Sequence, residues 1–312
     1  MGARNILQVG PVTERFNTRL TQAYQAERLW TQADREAFLS QHGADVEVLV
    51  TSIRFGCDAA LLERLPNLRA ICNFGVGYDS VDVGAAKQRG IQVSNTPDVL
   101  NDCVADLALG LIIDTARRLS EADRFVRRGA WPQGNFPLAR RVTGKRVGIV
   151  GLGRIGKDVA KRCAGFDMQI RYHNRKPDPH SPYGYEAELT ALARWADFLV
   201  LTCPGGAQTR HLIDAPVLEA LGPQGLLINV ARGSVVDEVA LVAALQNGTL
   251  GGAGLDVFED EPRVPAALLA LDNVVLLPHI ASGTEETRLQ MEELVFSNLD
   301  AFLADGQVLT AV

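Results

Sequence analysis

Three residues of the kinds that act on carbonyl groups stand in the second half of the sequence. Arg232, Glu261 and His279 each come shortly after a run of apolar residues that is typical of a buried strand. An arginine can hold a carboxylate through its planar fork, a histidine can give a proton near neutral pH, and a nearby carboxylate favours the protonated imidazole. Together they suit the reduction of a 2-keto acid. Singly, they are typical of a surface ion pair, a solvated acidic turn and a structural histidine.

A glycine-rich segment could bind the phosphates of a dinucleotide. Gly151, Gly153 and Gly156 follow a predicted strand and open a helical run, in the G-x-G-x-x-G spacing of dinucleotide sites. These glycines allow a tight turn, a close approach of the backbone to a pyrophosphate, and close packing of helix on strand. The helix N-terminus then presents N–H groups to the phosphates. Three turn glycines without a ligand are the alternative.

The turn after the next predicted strand favours NADP over NAD. Asn174, Arg175 and Lys176 stand where NAD-preferring sites usually carry Asp or Glu, and the first carboxylate comes only at Asp178. An arginine at this point can pair with a 2′-phosphate. A solvated basic turn is the alternative. We therefore expect NADP(H) as the preferred cofactor, with NAD as the second choice.

Short apolar runs alternate with helical periodicity along the chain, which is typical of parallel α/β sheets. A helix is predicted over 101–119, and a final helix from about Thr284 to Leu303, opened by the capping-box spacing of Ser282–Glu285. Ligands of such sheets bind beyond the carboxyl ends of the strands, so the candidate residues should gather at one edge. The predicted strands are Ile6–Val9, Val46–Ser52, Leu68–Asn73, Ile91–Ser94, Arg146–Val150, Gln169–Tyr172, Phe198–Thr202, Gly225–Val230, Gly254–Phe258 and Val274–Leu277.

Composition excludes several classes of function. The 312 residues carry 31 Lys and Arg against 37 Asp and Glu, and this net charge of −6 argues against binding to nucleic acids or anionic membranes. The apolar stretch over 107–113 is too short to span a bilayer. Five dispersed cysteines without C-x-x-C predict reduced thiols and a cytoplasmic protein. Five histidines without a metal-binding spacing predict that no metal is bound.

The motifs together resemble those of the D-isomer-specific 2-hydroxyacid dehydrogenases, over essentially the whole chain. Within that family the similarity is greatest to the NADPH-dependent glyoxylate/hydroxypyruvate reductases and the hydroxyphenylpyruvate reductases. The chain departs from the family's pattern at Cys203–Gly206, where Leu or Ala and then Thr or Asn are more usual after Pro. The motifs that carry the resemblance are Asn73–Asp79, Asn95–Pro97, Val150–Gly156, Ile228–Gly233, Gly254–Pro262 and Pro278–Ile280.

The resemblance implies the fold and the site residues. It implies catalytic roles for Arg232, Glu261 and His279, and binding of the substrate carboxylate by backbone N–H groups of Val76 and Gly77. From the residues alone, that turn suits either an anion site or a plain strand-to-helix turn. The expected cofactor contacts are Gly151, Gly153, Arg154, Ile155, Gly156, Asn174, Arg175, Lys176, Cys203, Pro204, Val230, Ala231, Asp256, His279 and Ser282.

We expect two Rossmann-like or flavodoxin-like α/β domains with parallel sheets and a cleft between them. The substrate (catalytic) domain is predicted over 1–98 and 285–312, and the dinucleotide-binding Rossmann domain over 99–284. The family also implies a homodimer.

The expected activity is NADPH-dependent reduction of a small 2-keto acid, glyoxylate or hydroxypyruvate, to the D-2-hydroxy acid. The nicotinamide would supply the hydride and His279 the proton. A hydroxyphenylpyruvate or 2-ketogluconate reductase is the first alternative, and a dinucleotide-sensing, corepressor-like binding protein is a remote one. Trp131 and Phe136 lie in an irregular stretch and suit either an aryl substrate or ordinary packing.

Overall fold

The chain divides into two units, each built on one parallel sheet. The structure is a computed structural model that describes residues 5–312. Residues up to Leu100 and Thr284–Val312 form the first unit, and Asn101–Gly283 form the second. Both sheets are covered by helices, as the alternating pattern of the sequence predicts. The expected pair of parallel α/β domains is therefore confirmed.

The regular elements follow one another in βα alternation. The strands are β1 (Asn5–Gln8), β2 (Glu27–Arg28), β3 (Val46–Ser52), β4 (Ala70–Phe74), β5 (Gln92–Ser94), β6 (Arg146–Val150), β7 (Gln169–His173), β8 (Gly184–Tyr185), β9 (Phe198–Leu201), β10 (Leu226–Asn229), β11 (Gly252–Leu255) and β12 (Val274–Leu276). The helices are α1 (Glu14–Tyr24), α2 (Arg35–His42), α3 (Ala59–Glu63), α4 (Val83–Gln88), α5 (Asn101–Arg117), α6 (Leu119–Arg127), α7 (Arg154–Ala164), α8 (Leu189–Trp195), α9 (Ala215–Leu221), α10 (Glu238–Gln246), α11 (Ala266–Leu269) and α12 (Glu285–Asp305). No helix within residues 5–312 is both long and apolar enough to cross a membrane.

The first unit has a five-stranded sheet in the order β2-β1-β3-β4-β5, with every pairing parallel. Its central strand β3 is buried along almost its whole length, as expected for a parallel strand covered on both faces. The C-terminal helix α12 packs against β4. Phe296 of α12 packs against Phe16 of α1 with the rings tilted and their centroids 4.9 Å apart, and Phe16 also contacts Phe74 at the end of β4.

The second unit has a seven-stranded parallel sheet in the order β12-β11-β10-β9-β6-β7-β8. The chain runs outward in one direction from β6 to β8, then returns to the centre and runs in the other direction from β9 to β12. The reversal lies between β6 and β9. Open α/β sheets bind ligands beyond the carboxyl ends of the strands at such a switch point. The glycine-rich loop follows β6, so it lies at this point.

Most predicted strands are confirmed to within one to three residues at their ends, and β3 and β6 agree at both ends. The two-residue edge strands β2 and β8 are not predicted, because two residues carry no periodicity. The predicted capping box at Ser282–Glu285, in which Ser282 would cap the final helix, is wrong. Thr284 caps α12 instead, and its side chain accepts a hydrogen bond from the N–H of Thr287 at 3.3 Å.

A buried carboxylate ties α12 to the start of α1 in the first unit. The Glu292 side chain is 2% exposed, and it accepts hydrogen bonds from the Thr13 hydroxyl and from Arg15 Nε. We expect Glu292→Ala to lower the free energy of unfolding by about 1–3 kcal/mol, because the Thr13 and Arg15 donors lose their acceptor.

Glu293 provides the matched control for a urea denaturation experiment. Its side chain is 53% exposed and pairs with Arg19 on the same two helices. Glu293→Ala should change the free energy of unfolding by less than about 0.5 kcal/mol. Equal effects of the two variants would contradict the importance of the buried carboxylate.

Candidate active site

The candidate catalytic residues follow three neighbouring strands of the second unit. Arg232 comes after β10, Glu261 after β11 and His279 after β12. The predicted cofactor contact Asp256 comes directly after β11. Because these strands are parallel and adjacent, their carboxyl ends meet at one edge of the sheet. The sequence prediction that these residues gather there agrees with this topology.

His279 and Glu261 form a hydrogen-bonded pair at this edge. His279 Nδ1 lies 2.7 Å from Glu261 Oε2, and about a third of each side chain is exposed. A carboxylate can only accept, so Nδ1 carries the proton of this hydrogen bond. The second carboxylate oxygen, Oε1, accepts from the N–H of Phe258 at 3.1 Å. The pair fixes the orientation of the imidazole ring and leaves its Nε2 for another partner.

The surroundings of Glu261 keep its carboxyl group charged. Burial alone would raise the pKa of Glu261, but the hydrogen bond and charge of His279, the N–H of Phe258 and the charge of Arg232 outweigh it and hold the pKa below its ordinary value. A group with a lowered pKa keeps its favourable interactions above that pKa and loses them as the pH falls through it. The pair with His279 therefore persists below the usual range of a carboxyl group.

Asp256 anchors the turn that carries His279. Its side chain is fully buried, and its two oxygens accept from the N–H groups of Ile280 and Ala281, each at 2.8 Å. The N–H of His279 donates to the carbonyl oxygen of Asp256 at 2.9 Å. His279 has a φ of 55°, in the left-handed region that few residues other than glycine adopt. Burial raises the pKa of Asp256, and the two N–H groups oppose this rise.

Arg232 stands on a short loop that Asn229 holds in place. Asn229 Nδ2 donates to the carbonyl oxygen of Arg232 at 2.9 Å, and its Oδ1 accepts from the N–H of Ala231 at 3.0 Å. The Arg232 side chain is half-buried, and its Nη1 donates to the carbonyl oxygen of Ala231 at 2.6 Å. The positive charge of Arg232 is one of the causes that lower the pKa of Glu261. A cation, a carboxylate and an imidazole therefore share one site.

The glycine-rich loop has the geometry that a pyrophosphate needs. Gly151 has a φ of 99°, and a Cβ at this position would lie 2.6 Å from Cys203 Cα on the neighbouring loop. A Cβ at Gly156 would overlap the carbonyl oxygen of Gly151, whereas open space surrounds Gly153. Helix α7 starts at Arg154 without a side-chain cap, so its first N–H groups face this open space. The residues fit a dinucleotide phosphate.

The turn after β7 carries the positive charge that the sequence predicts. Asn174 Oδ1 accepts from the N–H of Leu152 at 2.7 Å and so ties this turn to the glycine-rich loop. Arg175 and Lys176 are exposed, and Arg175 Nη1 donates to Gln208 Oε1 at 2.8 Å.

The first carboxylate after this turn is already engaged. Asp178 pairs with Lys157 of α7 at 2.8 Å. The hydrogen bond to Lys157 and the N–H of His180 lower the pKa of Asp178. This carboxylate is therefore a poor candidate for the acceptor that NAD-preferring sites present to a ribose 2′-hydroxyl.

Comparison with known proteins now gives the family. The profile of the D-isomer specific 2-hydroxyacid dehydrogenase, NAD binding domain, matches residues 109–281, which lie within the second unit. This chain belongs to the D-isomer-specific 2-hydroxyacid dehydrogenase family. It is 46% identical over 312 residues, which is the whole of both chains, to glyoxylate/hydroxypyruvate reductase A of Arabidopsis thaliana. It is equally identical, also over 312 residues and the whole of both chains, to hydroxyphenylpyruvate reductase of Plectranthus scutellarioides.

A solved structure agrees with these relatives. The NADPH-dependent glyoxylate/hydroxypyruvate reductase of Sinorhizobium meliloti, in complex with NADP and malonate, superposes with a TM-score of 0.93 at 46% identity. The match covers 100% of this chain and 97% of that one. The resemblance predicted from the motifs is thus confirmed, as is the two-domain dehydrogenase fold.

Val76 and Gly77 belong to the first unit of this dehydrogenase, in the turn after β4. The carbonyl oxygen of Val76 accepts from Asn95 Nδ2, and that of Gly77 from Asn73 Nδ2, both at 2.9 Å. Gly75 has a φ of 141°. Within residues 5–312, the N–H groups of Val76 and Gly77 donate no backbone hydrogen bond. Their N–H groups therefore suit the binding of an anion, and the role of these two residues stays a prediction.

The predicted cofactor contacts all lie in the second unit. Cys203 is buried beneath Gly151, and burial raises the pKa of its thiol to about 11, which disfavours the reactive thiolate. Trp131 is exposed, while Phe136 packs edge-on against Phe125 at 5.4 Å. No group of three His, Cys, Asp or Glu side chains among residues 5–312 could hold a metal ion. Of the remaining contacts, Ile155 lies in the first turn of α7. The others lie in loops at the carboxyl edge of the sheet, and they are Pro204, Val230, Ala231 and Ser282.

Two features of the site are not predicted from the sequence. One is Gln208, whose contact with Arg175 joins loops that lie more than 30 residues apart. The only available signal is its position in the loop after β9, next to the switch point. The other is the anchoring by Asp256, which the sequence places near the cofactor without showing what its oxygens bind.

The loop of Arg232 fits closely against the turn that leads to Glu261. A Cβ at Gly233 would overlap the carbonyl group of Phe258 and approach the nitrogen of Glu259. We expect Gly233→Ala to lower the free energy of unfolding by about 3 kcal/mol or more, because backbone rather than a flexible side chain would have to move.

Gly110 gives the matched control for this prediction in urea denaturation. It lies inside α5, and a Cβ there meets nothing within 4 Å. Gly110→Ala should be neutral or stabilise the fold by about 0.5–1 kcal/mol. Similar stability of the two variants would show that the Arg232 loop and the Glu261 turn are not in tight contact.

Proposed function

We propose that this protein catalyses the NADPH-dependent reduction of a small 2-keto acid, such as glyoxylate or hydroxypyruvate, to the D-2-hydroxy acid. The observation that carries the proposal is the Glu261–His279 pair at the carboxyl edge of the sheet that also carries the glycine-rich loop. A protonated imidazole with a free Nε2 can give a proton to a keto oxygen. Arg232, on the adjacent strand end, can hold the carboxylate of the same molecule.

In this mechanism each side chain has one task. His279 donates the proton from Nε2 to the keto oxygen, while Glu261 holds Nδ1 and stabilises the charged ring. Arg232 neutralises and orients the substrate carboxylate. In the first unit, Val76 and Gly77 remain proposed substrate-binding residues. The reduced nicotinamide, when bound, supplies the hydride that reaches the carbonyl carbon. In the reverse direction, neutral His279 accepts the hydroxyl proton.

The cofactor is proposed to be NADPH in preference to NADH. Arg175 and Lys176 supply positive charge at the ribose turn, and the nearest following carboxylate, Asp178, is paired with Lys157. The Sinorhizobium meliloti relative, bound to NADP, supports the same preference. Gly151, Gly153 and Gly156, with the N-terminus of α7, would hold the pyrophosphate.

The substrate is proposed to be a small acid rather than an aryl acid, although relatives of both kinds are equally identical to this chain. Of the two aromatic residues in the irregular stretch, Phe136 is engaged in packing against Phe125 and Arg118. Trp131 is 64% exposed, so of these two residues only Trp131 has a ring that is available to contact an aryl substrate.

We further propose a cytoplasmic homodimer. Large apolar side chains are exposed on one stretch of the second unit, and Leu138 is 100% exposed. A second copy would cover such a stretch. None of the five cysteines, which all lie within residues 5–312, forms a disulfide, and this suits a reducing compartment. The exposed apolar residues of this stretch are Leu119, Val126, Trp131 and Leu138. Light scattering at the mass of one chain would contradict the dimer.

The first experiment compares oxidation of NADPH and NADH with glyoxylate, hydroxypyruvate, 2-ketogluconate and 4-hydroxyphenylpyruvate. We expect the highest kcat/KM with NADPH and the two small acids. Preference for the aryl acid would keep the mechanism and give Trp131 a role in the site. Tight NADPH binding without turnover of any acid would contradict the proposed activity and support a dinucleotide-sensing protein.

Arg175→Ala tests the choice of cofactor. We expect the KM for NADPH to rise about tenfold or more, because a charge-assisted hydrogen bond to the 2′-phosphate is lost, while the KM for NADH stays unchanged. Arg194→Ala is the matched control. Arg194 is exposed at the end of α8, just before β9, and so lies at the opposite edge of the sheet. An equal rise for both cofactors in Arg175→Ala would contradict a 2′-phosphate contact.

A further inference from the structure

Glu238 makes a contact that its place in the helix does not require. It is the first residue of α10, and Asp237 already caps this helix by accepting from the N–H of Ala240 at 3.0 Å. The half-buried side chain of Glu238 leaves its own helix and accepts, through Oε1, from the N–H of Glu259 at 2.9 Å. It therefore reaches the turn that leads to Glu261.

This turn binds two carboxylates through consecutive amides. The N–H of Phe258 donates to Glu261 Oε1 at 3.1 Å, and the N–H of Glu259 donates to Glu238 Oε1. Gly233 packs against the peptide that joins these two amides, so closely that no Cβ fits between them. Glu238 and Gly233 thus hold the peptide between Phe258 and Glu259. The N–H that binds Glu261 belongs to the peptide just before it, so its position depends on the same contacts.

The position is electrostatically unfavourable for Glu238. Burial raises its pKa, the N–H of Glu259 opposes this rise, and the carboxylates of Glu259, Asp260 and Glu261 add to it. Each of these neighbours has a partner of its own, which reduces the repulsion. Glu259 contacts Arg210 at 2.6 Å and His211 at 3.0 Å, Asp260 contacts Arg263 at 2.7 Å, and Glu261 contacts His279 at 2.7 Å. A half-buried carboxylate beside three others is electrostatically costly, and this cost indicates a functional role for Glu238.

We propose that Glu238 is a positioning residue for the proton-donating pair, holding the 258–261 turn so that Glu261 meets His279 Nδ1. This inference rests on the proposed function. Glu238 touches neither reacting atoms nor cofactor in it, and acts only through the backbone of Glu259 and the carboxylate of Glu261. The contact that carries the task is the hydrogen bond to the Glu259 N–H.

The test compares side chains of equal length with and without an acceptor. Glu238→Gln keeps an oxygen for the Glu259 N–H, whereas Glu238→Met does not, and both suit the start of a helix. For Glu238→Met we expect kcat to fall about tenfold with an unchanged KM for NADPH, since a small displacement of a catalytic group is costly. The acid limb of the kcat profile should move to higher pH, because Glu261 loses the contacts that lower its pKa. Glu238→Gln should retain most of kcat.

Asp237→Ala is the control for a merely structural role. It removes the cap of the same helix and leaves the Glu259 N–H with its partner. We expect a lower Tm without a shift of the acid limb. Wild-type kcat and acid limb in Glu238→Met would overturn the proposal. So would equal losses in Glu238→Gln and Glu238→Met, or the same shift of the acid limb in Asp237→Ala.

A second readout does not depend on turnover. The His279 Nδ1 proton, in its hydrogen bond to Glu261, should give a downfield NMR resonance in the wild-type protein, assigned by its loss in His279→Gln. It should persist in Glu238→Gln and vanish in Glu238→Met. A retained resonance in Glu238→Met would overturn the inference even if the wild type reduced none of the acids tested, an outcome that would contradict the proposed function separately.

Discussion

The buried carboxylate of Asp256 is the interaction on which the rest of the site depends. It accepts from the two N–H groups that follow His279, and so holds that residue in the left-handed region. Left-handed backbone costs about 1–2 kcal/mol in a residue other than glycine. The two hydrogen bonds from the N–H groups of Ile280 and Ala281 to the Asp256 carboxylate act against this strain. Without Asp256, the turn would lose the two hydrogen bonds that hold the imidazole of His279 toward Glu261.

The same kind of hydrogen bond, from a loop amide to a side-chain oxygen, recurs along the carboxyl edge of the second unit. A short polar side chain at or just past a strand end accepts from a backbone amide of its own loop or of a neighbouring one. Asn174 holds the N–H of Leu152 in the glycine-rich loop, Asn229 holds that of Ala231 beside Arg232, and Asp256 holds the turn of His279. Each such bond satisfies a loop amide and fixes a functional loop at once. The edge is therefore organised before any ligand arrives, which lets fixed charges act without a cost of reorganisation.

The sequence predicts those features that follow from strand register and chain order. Arg232, Glu261 and His279 could be placed at one edge because each follows an apolar run, and the ends of β3 and β6 follow from clear apolar periods. The anchoring by Asp256, the contact of Gln208 with Arg175 and that of Glu238 with Glu259 could not be predicted, because each joins residues about 20 or more apart. The cap of α12 was misplaced because Ser282 and Thr284 are both good capping residues, and only the backbone decides between them.

The central claim is that His279, oriented by Glu261, delivers the proton during reduction. The most direct measurement is the kcat of His279→Gln with the best 2-keto acid, together with the Kd for NADPH of the same variant. Glutamine fills similar space and keeps a hydrogen-bonding group, but it cannot carry a labile proton of suitable acidity. The account predicts a loss in kcat of about 10²–10⁴-fold, far larger than the change in the Kd for NADPH. Turnover within a few-fold of the wild type would contradict it.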